Sequence, residues 1–198
     1  MSNMIYTIGR EFGSGGKAVG DALAARLGIK CYDKDLLQIA AKESGFCKEI
    51  FENHDEKPTN SFLYSLVMDT YSISGYSSAP FLDMPLNHKI FLAQFEAIKK
   101  IASEESCVIV GRCADYALSE LQTCINTFIH ADMDIRIRQV AHEMGITDNK
   151  AKDLIQKNDK QRASYYNYYT SKKWGDARSY HLTLDSSCLG VEGCVDMI

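Results

Sequence analysis

Residues 9–17 read Gly9-Arg10-Glu11-Phe12-Gly13-Ser14-Gly15-Gly16-Lys17, a glycine-rich stretch that follows a short apolar run. The apolar run at residues 4–8 predicts a buried strand, and residues 17–27 carry apolar side chains at helical spacing. A loop between a strand and a helix N-terminus presents backbone N–H groups and the positive end of the helix dipole to an anion. The stretch therefore predicts a phosphate-binding loop.

The glycines of this loop allow the backbone to curl around a phosphate without Cβ clashes, and Lys17 is long enough to reach terminal phosphate oxygens. The residues predicted to contact nucleotide phosphates are Gly13, Ser14, Gly15, Gly16, Lys17 and Ala18. The alternative is a glycine-rich turn that only connects a strand to a helix. Phosphate binding is favoured because the required order of strand, loop and helix is present.

The loop departs from the usual phosphate-loop pattern at two positions. Glu11 stands where that pattern has glycine, and Ala18 stands where it has the hydroxyl residue that binds magnesium. Magnesium would then be held through water, by the nucleotide, or by a carboxylate such as Glu11 or Asp33. The sequence leaves the protein ligands of the metal unassigned.

A dinucleotide-binding loop of the Rossmann type is the weaker alternative. Gly13 and Gly15 fit its spacing, but its third glycine position holds Ala18. Ala18 is a small-residue variant that this motif sometimes tolerates, but Asp33 and Asp35 are the only acidic residues at the end of a second strand that could bind the ribose.

Short apolar runs alternate with helical patterns along the rest of the chain. Further strands are predicted at residues 29–32, 107–110, 124–129 and 180–184. Further helices are predicted at residues 34–44, 86–105, 133–144, 148–169 and 189–198. This alternation predicts an α/β fold, a three-layer α/β/α sandwich with a parallel sheet, in one domain over residues 1–198. Residues 61–71 are compatible with a helix, and residues 72–85 have the composition of a loop.

The composition narrows the class of protein. A net charge of −4 argues against a general nucleic-acid binder, which needs a basic face. The seven cysteines have no paired metal-ligand spacing, so reduced thiols are expected. The first residues, MSNMIYTIGREFG, lack the apolar run of a signal peptide, and no stretch is long enough to span a membrane. These features predict a cytoplasmic protein and leave its oligomeric state open.

Six short stretches along the chain combine glycine, charged and aromatic residues in distinctive patterns. They are Arg10-Glu11-Phe12-Gly13-Ser14-Gly15-Gly16, Tyr32-Asp33-Lys34-Asp35, Val110-Gly111-Arg112, Asp159-Lys160-Gln161-Arg162, Tyr165-Tyr166-Asn167-Tyr168-Tyr169-Thr170 and Trp174-Gly175-Asp176. With them the chain resembles the cytidylate-kinase-like family of P-loop proteins over nearly its entire length. The resemblance implies a P-loop-kinase-type sheet, a helical acceptor-binding region at about residues 34–105, and a short lid with its following helix at about residues 145–175.

The resemblance also implies roles for four charged residues. Asp33, after the second strand, matches an aspartate that helps to hold a nucleoside monophosphate, although it is also suited to cap a helix. Arg112 matches an arginine that contacts the acceptor's phosphate, the alternative being an ordinary surface arginine. Arg162 matches a lid arginine that closes over the transferring phosphates, and Asp159, at the matching spacing, is assigned to the substrate.

Two features near the lid allow more than one interpretation. Arg136 or Arg138 could join Arg162 at the phosphates, but arginines on polar helices are commonly solvated. The tyrosines between residues 165 and 169 could stack on a base, but together with Trp174 they are interpreted as packing of the last helix against the domain.

The predicted function is ATP-dependent transfer of a γ-phosphoryl group to a nucleoside monophosphate or a similar small acceptor, with Mg²⁺ expected from the resemblance. The predicted catalytic residues are Lys17, Arg112 and Arg162, since transfer depends mainly on positioning and charge neutralisation. Two alternatives remain. One is a nucleotide-binding regulatory protein with a degenerate phosphate loop, and the other is a kinase of a non-nucleotide small molecule.

Overall fold

The structure, a computed structural model, describes residues 3–44, 49, 55–56 and 85–198. The predicted helix at residues 61–71 and most of the predicted loop at residues 72–85 lie outside these residues. The predicted acceptor-binding region at residues 34–105 is therefore described only in part.

A parallel sheet forms the centre of the described structure. Its strands are β1 (Ile5–Arg10), β2 (Lys30–Tyr32), β3 (Cys107–Val110), β4 (Cys124–His130) and β5 (Leu182–Asp185). Their order is β2-β3-β1-β4-β5, and every neighbouring pair is parallel, as predicted. Strand β1 continues two residues beyond its predicted end, because Gly9 and Arg10 pair with Phe128 and Ile129 of β4.

Helices connect these strands. They are α1 (Gly16–Leu27), α2 (Asp35–Ser44), α3 (Leu86–Glu104), α4 (Ala114–Ala117), α5 (Met133–Met144), α6 (Asp148–Thr170) and α7 (Ser186–Met197). Helix α7 begins earlier than predicted because the Asp185 side chain accepts a hydrogen bond from Ser187 N at 2.8 Å, and it contains a break at Gly190. In the part of the chain that the structure describes, no helix is long and apolar enough to cross a membrane.

Two apolar clusters on opposite faces of the sheet make the three layers. Successive side chains of a strand point to opposite faces, and β3 divides its four buried residues accordingly. Cys107 and Ile109 pack with residues of α2 and α3, whereas Val108 and Val110 pack with residues of α1 and α7. The α/β/α sandwich expected from the sequence is therefore confirmed.

The ends of several helices follow the expected local chemistry. Gly28 and Gly145 close α1 and α5 in left-handed conformations, with φ of 67° and 63°. Asp132 and Thr147 occupy the N-cap positions of α5 and α6, but neither side chain makes a capping hydrogen bond. The boundaries of these helices thus agree with the prediction, although the capping contacts do not form.

Aromatic side chains of α6 pack against the sheet and α3. The Tyr169 ring stacks on Phe91 at a centroid distance of 4.0 Å, and the Tyr166 hydroxyl donates to Asp115 at 2.6 Å. The buried members of this cluster are Phe91, Cys113, Phe128, Tyr165, Tyr166, Tyr169 and Tyr180. The prediction that these tyrosines serve packing is confirmed, but in this cluster they pack α6 against α3 and the sheet, and not the last helix, α7, against the domain. All cysteines among the described residues are free thiols.

The strand order places a crevice between β1 and β3. After β1, the chain passes through α1 to β2, on the β3 side of the sheet. After β3, it passes through α4 to β4, on the opposite side of β1. Ligands of open α/β sheets bind outside the carboxyl ends of strands at such a change of direction. Arg10 ends β1 at this point, and Gly111 and Arg112 follow β3.

Candidate functional site

The predicted phosphate loop joins β1 to α1. Gly15 is the N-cap of α1 with φ 73°, and no side chain caps this end, so the backbone N–H groups of the first turn are left for a ligand. Gly16 must lack a side chain, because a Cβ atom there would lie 2.4 Å from Cβ of Arg10. The local structure therefore suits an anion, as the sequence predicts.

Ser14 holds the loop to the sheet. Its buried hydroxyl lies 3.0 Å from the carbonyl oxygen of Glu11 and 3.1 Å from that of Ile129. The carbonyl oxygen of Ser14 accepts a hydrogen bond from Ser186 Oγ at 2.7 Å. The Ser14 side chain is thus directed into the protein, and its hydroxyl fixes the shape of the loop.

Lys17 is on the first turn of α1 and points along the helix surface. Its ammonium group contacts both carboxylate oxygens of Asp21, at 2.8 and 2.7 Å, and 56% of its side chain is exposed. The hydrogen bond to Asp21 raises the pKa of Lys17. Exposed ion pairs contribute little free energy, so phosphate oxygens can compete with Asp21 for this ammonium group.

The two carboxylates considered for magnesium are engaged by the protein itself. Glu11 Oε2 accepts a hydrogen bond from Ala131 N at 3.1 Å and lies 3.5 Å from Arg136 Nε. Asp33 pairs with Arg112. Within the described ranges, no three His, Cys, Asp or Glu side chains are grouped as a metal site would require. If Mg²⁺ binds here, nucleotide phosphates and water would supply most of its ligands, because this ion usually keeps several waters.

Asp159 connects α6 to the back of the phosphate loop. One carboxylate oxygen accepts a hydrogen bond from Phe12 N at 2.8 Å, and the other accepts one from Arg136 Nη1 at 2.6 Å. Arg136 is only 5% exposed, whereas Arg138 is an exposed residue. Of the two arginines left open by the sequence, Arg136 is the one that packs against the loop.

Arg112 lies at the carboxyl end of β3 with only 1% of its side chain exposed. Its Nη1 atom donates to Asp33 at 2.7 Å and to the Val110 carbonyl oxygen at 2.9 Å, and its Nε and Nη2 atoms donate to Asp55 at 3.1 and 2.8 Å. Burial lowers the pKa of Arg112, but the charges of Asp55, Glu56 and Asp33 outweigh burial and raise it. The structure thus brings the two predicted acceptor residues, Asp33 and Arg112, into direct contact.

A second ion cluster beside Arg112 was not predicted from the sequence. Glu56 accepts hydrogen bonds from Arg10 Nη1 at 2.7 Å and Nη2 at 3.2 Å, and from Arg162 Nε at 3.1 Å. The backbone N–H of Arg112 also donates to Glu56, at 3.2 Å. Burial raises the pKa of Glu56, but the Arg10, Arg162 and Arg112 charges outweigh it and hold the pKa well below its usual value.

The cluster lines part of a small cavity near the carboxyl ends of β1 and β3. Arg10, Glu56, Arg112 and Arg162 line a cavity of about 20 Å³. This volume is close to what one water molecule needs. This cavity is therefore too small for a ligand group much larger than water.

A five-stranded parallel sheet with helices on both faces, and a glycine-rich loop between its first strand and α1, is the fold of the P-loop kinase class. Within this class, the chain belongs to the cytidylate kinase-like family, which matches residues 5–188. This family membership agrees with the resemblance found in the six short stretches.

Solved structures support the same fold. An uncharacterized protein from Eubacterium ventriosum is 31% identical with a TM-score of 0.73, and the match covers 98% of this chain and 95% of that one. Shikimate kinase from Bacteroides thetaiotaomicron is 14% identical with a TM-score of 0.55, covering 98% and 95% of the two chains. Shikimate kinase from Acinetobacter baumannii, solved with shikimate, is 11% identical with a TM-score of 0.50, covering 100% and 90%. The two shikimate kinases show a shared fold only. No protein of curated function matches the sequence.

Proposed function

We propose that this protein is an ATP-dependent phosphotransferase that acts on a nucleoside monophosphate or a similar small anionic acceptor. The observation that carries the proposal is a juxtaposition at the carboxyl edge of the sheet. The uncapped N-terminus of α1 follows β1, and the basic side chains of Arg10, Arg112 and Arg162 gather at the ends of β1 and β3. A phosphate donor and an anionic acceptor would thus meet at the same edge.

The donor half of the site is the loop from Gly13 to Ala18. Its first-turn amides and the dipole of α1 favour the phosphates of ATP, which supplies the γ-phosphoryl group and leaves as ADP. Lys17 is on the exposed side of this turn, and we propose that it exchanges Asp21 for phosphate oxygens when the nucleotide binds.

The acceptor half contains Asp33, Arg112 and Arg162. Asp33 lies after β2, and Arg112 holds one of its carboxylate oxygens, so the other oxygen can accept a hydrogen bond from a hydroxyl or amino group of the acceptor. Arg162 comes from α6 and can neutralise charge on the transferring oxygens. Asp159 is behind the loop, which makes it a positioning residue in this proposal.

Phosphoryl transfer requires the protein to position the reactants and to neutralise their negative charge. An oxygen atom of the acceptor forms a bond to the γ-phosphorus while the bond from that phosphorus to the bridging oxygen breaks. Backbone amides and arginines at the equatorial oxygens stabilise the negative charge spread over them. The cytidylate acceptor is favoured over other monophosphates because of the family to which the chain belongs.

The direct test is transfer of labelled γ-phosphate from ATP and Mg²⁺ to a panel of acceptors. Nucleoside monophosphates are compared with hydroxy-carboxylates such as shikimate and gluconate. We expect transfer to a monophosphate, with CMP first, and its loss in the Lys17→Ala variant. Inactivity toward every acceptor in the panel would contradict the proposed transfer.

A second candidate is a nucleotide-binding protein that does not transfer phosphate. It is favoured by Ala18, which removes a magnesium ligand, and by the Lys17 to Asp21 ion pair. A rise in melting temperature with ATP, with and without Mg²⁺, reports binding whether or not chemistry follows. Stabilisation by ATP together with no transfer would favour this candidate.

A further inference from the structure

The Glu56 carboxylate is bound in the way an anionic ligand would be. Each of its oxygens accepts two hydrogen bonds. Oε1 accepts from Arg10 Nη1 and from the backbone N–H of Arg112, at 2.7 and 3.2 Å, and Oε2 accepts from Arg10 Nη2 and Arg162 Nε, at 3.2 and 3.1 Å. Two-point contact by a guanidinium group is a typical way to recognise carboxylate and phosphate.

The backbone next to this carboxylate adopts an unusual turn, which allows an N–H group to reach it. Gly111, Arg112 and Cys113 are consecutive left-handed residues, with φ of 77°, 53° and 56°. This conformation costs about 1–2 kcal/mol for a residue with a side chain. A Cβ atom at Gly111 would lie 2.2 Å from Arg10 Nη1 and 2.7 Å from Glu56 Oε1. The turn after β3 thus brings an N–H group to the anion and leaves room for the arginine.

Two guanidinium groups share one carboxylate in this site. In the described part of the chain, Glu56 is the ion-pair partner of both Arg10 and Arg162. Burial and the charge of Arg10 lower the pKa of Arg162, whereas the charges of Glu56 and Asp159 raise it. A phosphate group carries up to two negative charges at neutral pH and would compensate both guanidinium groups.

The location is the crevice where a ligand of this fold is expected. Arg10 and Gly111 are at the carboxyl ends of the adjacent strands β1 and β3, where the chain connections diverge. Glu56 already accepts hydrogen bonds from both guanidinium groups and from the backbone N–H of Arg112. A ligand anion that uses the same donors must therefore displace the Glu56 carboxylate.

We propose that Glu56 is an internal occupant of an anion site made by Arg10, Arg162 and the backbone N–H of Arg112, and that a ligand's phosphate or carboxylate takes its place. The anion site itself does not depend on the proposed function, but the identification of its ligand as the phosphoryl acceptor does. Glu56 then lowers the affinity for acceptor anions, and Arg10 is a binding residue for them.

The test uses inorganic phosphate and acetate as separate probes, with binding measured by calorimetric titration of the full chain. While Glu56 occupies the site, the apparent affinity for an added anion is the intrinsic affinity multiplied by the fraction of molecules whose site is empty. Removing Glu56 should restore the intrinsic affinity. We expect the Glu56→Gln and Glu56→Ala variants to bind phosphate at least about tenfold more tightly than the wild type. The control Glu192→Gln removes a carboxylate from an exposed pair with Arg26 and should leave phosphate affinity unchanged.

The two probes distinguish the two sources of the anion. Tightening for phosphate alone supports a phosphorylated ligand, and tightening for both probes supports a site open to carboxylates as well. Adding Arg10→Met to Glu56→Gln should abolish the gain. Equal affinity in the wild type and both Glu56 variants, or a gain that persists without Arg10, would overturn the proposal.

Stability is the remaining variable, because removing Glu56 leaves two arginines without their partner. If neither variant folds, Glu56→Asp keeps the charge but shortens the side chain, and it too should bind phosphate more tightly than the wild type. No nucleotide is present in these titrations. A protein that shows the gain in phosphate binding but no phosphoryl transfer would contradict the proposed function alone, and active transfer without the gain would contradict this inference alone.

Discussion

The Arg10 guanidinium group and the Glu56 carboxylate form a two-point ion pair, with distances of 2.7 and 3.2 Å, at the end of the central strand. The side chains are only 10% and 11% exposed. Buried ion pairs bring a desolvation cost that good geometry only offsets, so this pair is weak evidence for stability in itself. Its place beside the phosphate loop makes a role in ligand binding the better explanation.

Removing the arginine of this pair should destabilise the fold strongly. Arg10→Met leaves Glu56 buried with fewer partners, and breaking one side of a buried pair typically costs about 3–5 kcal/mol. Unfolding in urea, followed by circular dichroism, measures the loss. The matched control Arg26→Met removes an exposed arginine that pairs with Glu192 and Asp196, and it should change stability little. Similar losses in both variants would show that the buried Arg10–Glu56 pair affects unfolding free energy no more than an exposed pair does.

The depressed pKa of Glu56 predicts how stability depends on pH. Because the arginines hold the folded-state pKa below the unfolded value of about 4.3, the contribution of Glu56 is fully present above that value. It is lost as the pH falls through the folded-state pKa. The difference in unfolding free energy between the wild type and Glu56→Gln should therefore shrink progressively below about pH 4.3. Denaturant titrations between neutral and acidic pH measure it, and a difference independent of pH would contradict this assignment.

Much of the fold and half of the site follow from local patterns in the sequence. Residues 9–17 predict the loop because their glycines lie between an apolar run typical of a strand and an amphipathic run typical of a helix. Asp33 and Arg112 each follow a parallel strand, so their meeting at one edge of the sheet is a consequence of topology.

The rest of the site depends on contacts that local patterns do not encode. Arg10 is grouped with the glycine loop in the sequence, but it ends β1, and strand pairing directs it to the crevice. Glu56 is 46 residues from Arg10 and 106 from Arg162, in a part of the chain without a clear periodic pattern. A pairing of charges at such separations becomes visible only when the chain is folded.

Adding a side chain at Gly111 should destabilise the protein, because the new atom would clash with the Arg10–Glu56 ion pair. In Gly111→Ala, the new Cβ atom would lie 2.2 Å from Arg10 Nη1, and φ of 77° is strained for alanine. Gly145→Ala is the matched control, since its φ of 63° brings the same strain while nothing lies within 4 Å of the new atom. We expect a loss of about 1 kcal/mol for the control and at least about 2 kcal/mol more for Gly111→Ala. Equal losses would show that Arg10 can move aside freely.

Lys17→Ala should separate catalysis from folding. The ammonium group is largely exposed and pairs with Asp21 across one helical turn, so its removal should change unfolding free energy by less than about 1 kcal/mol. If Lys17 instead binds phosphate oxygens during transfer, turnover should fall by about 10²–10³-fold. Asp21→Asn is the control, since it releases Lys17 without removing it and should not lower turnover. Full activity in Lys17→Ala, or equal loss in both variants, would mean that this lysine does not act on the transferred phosphate.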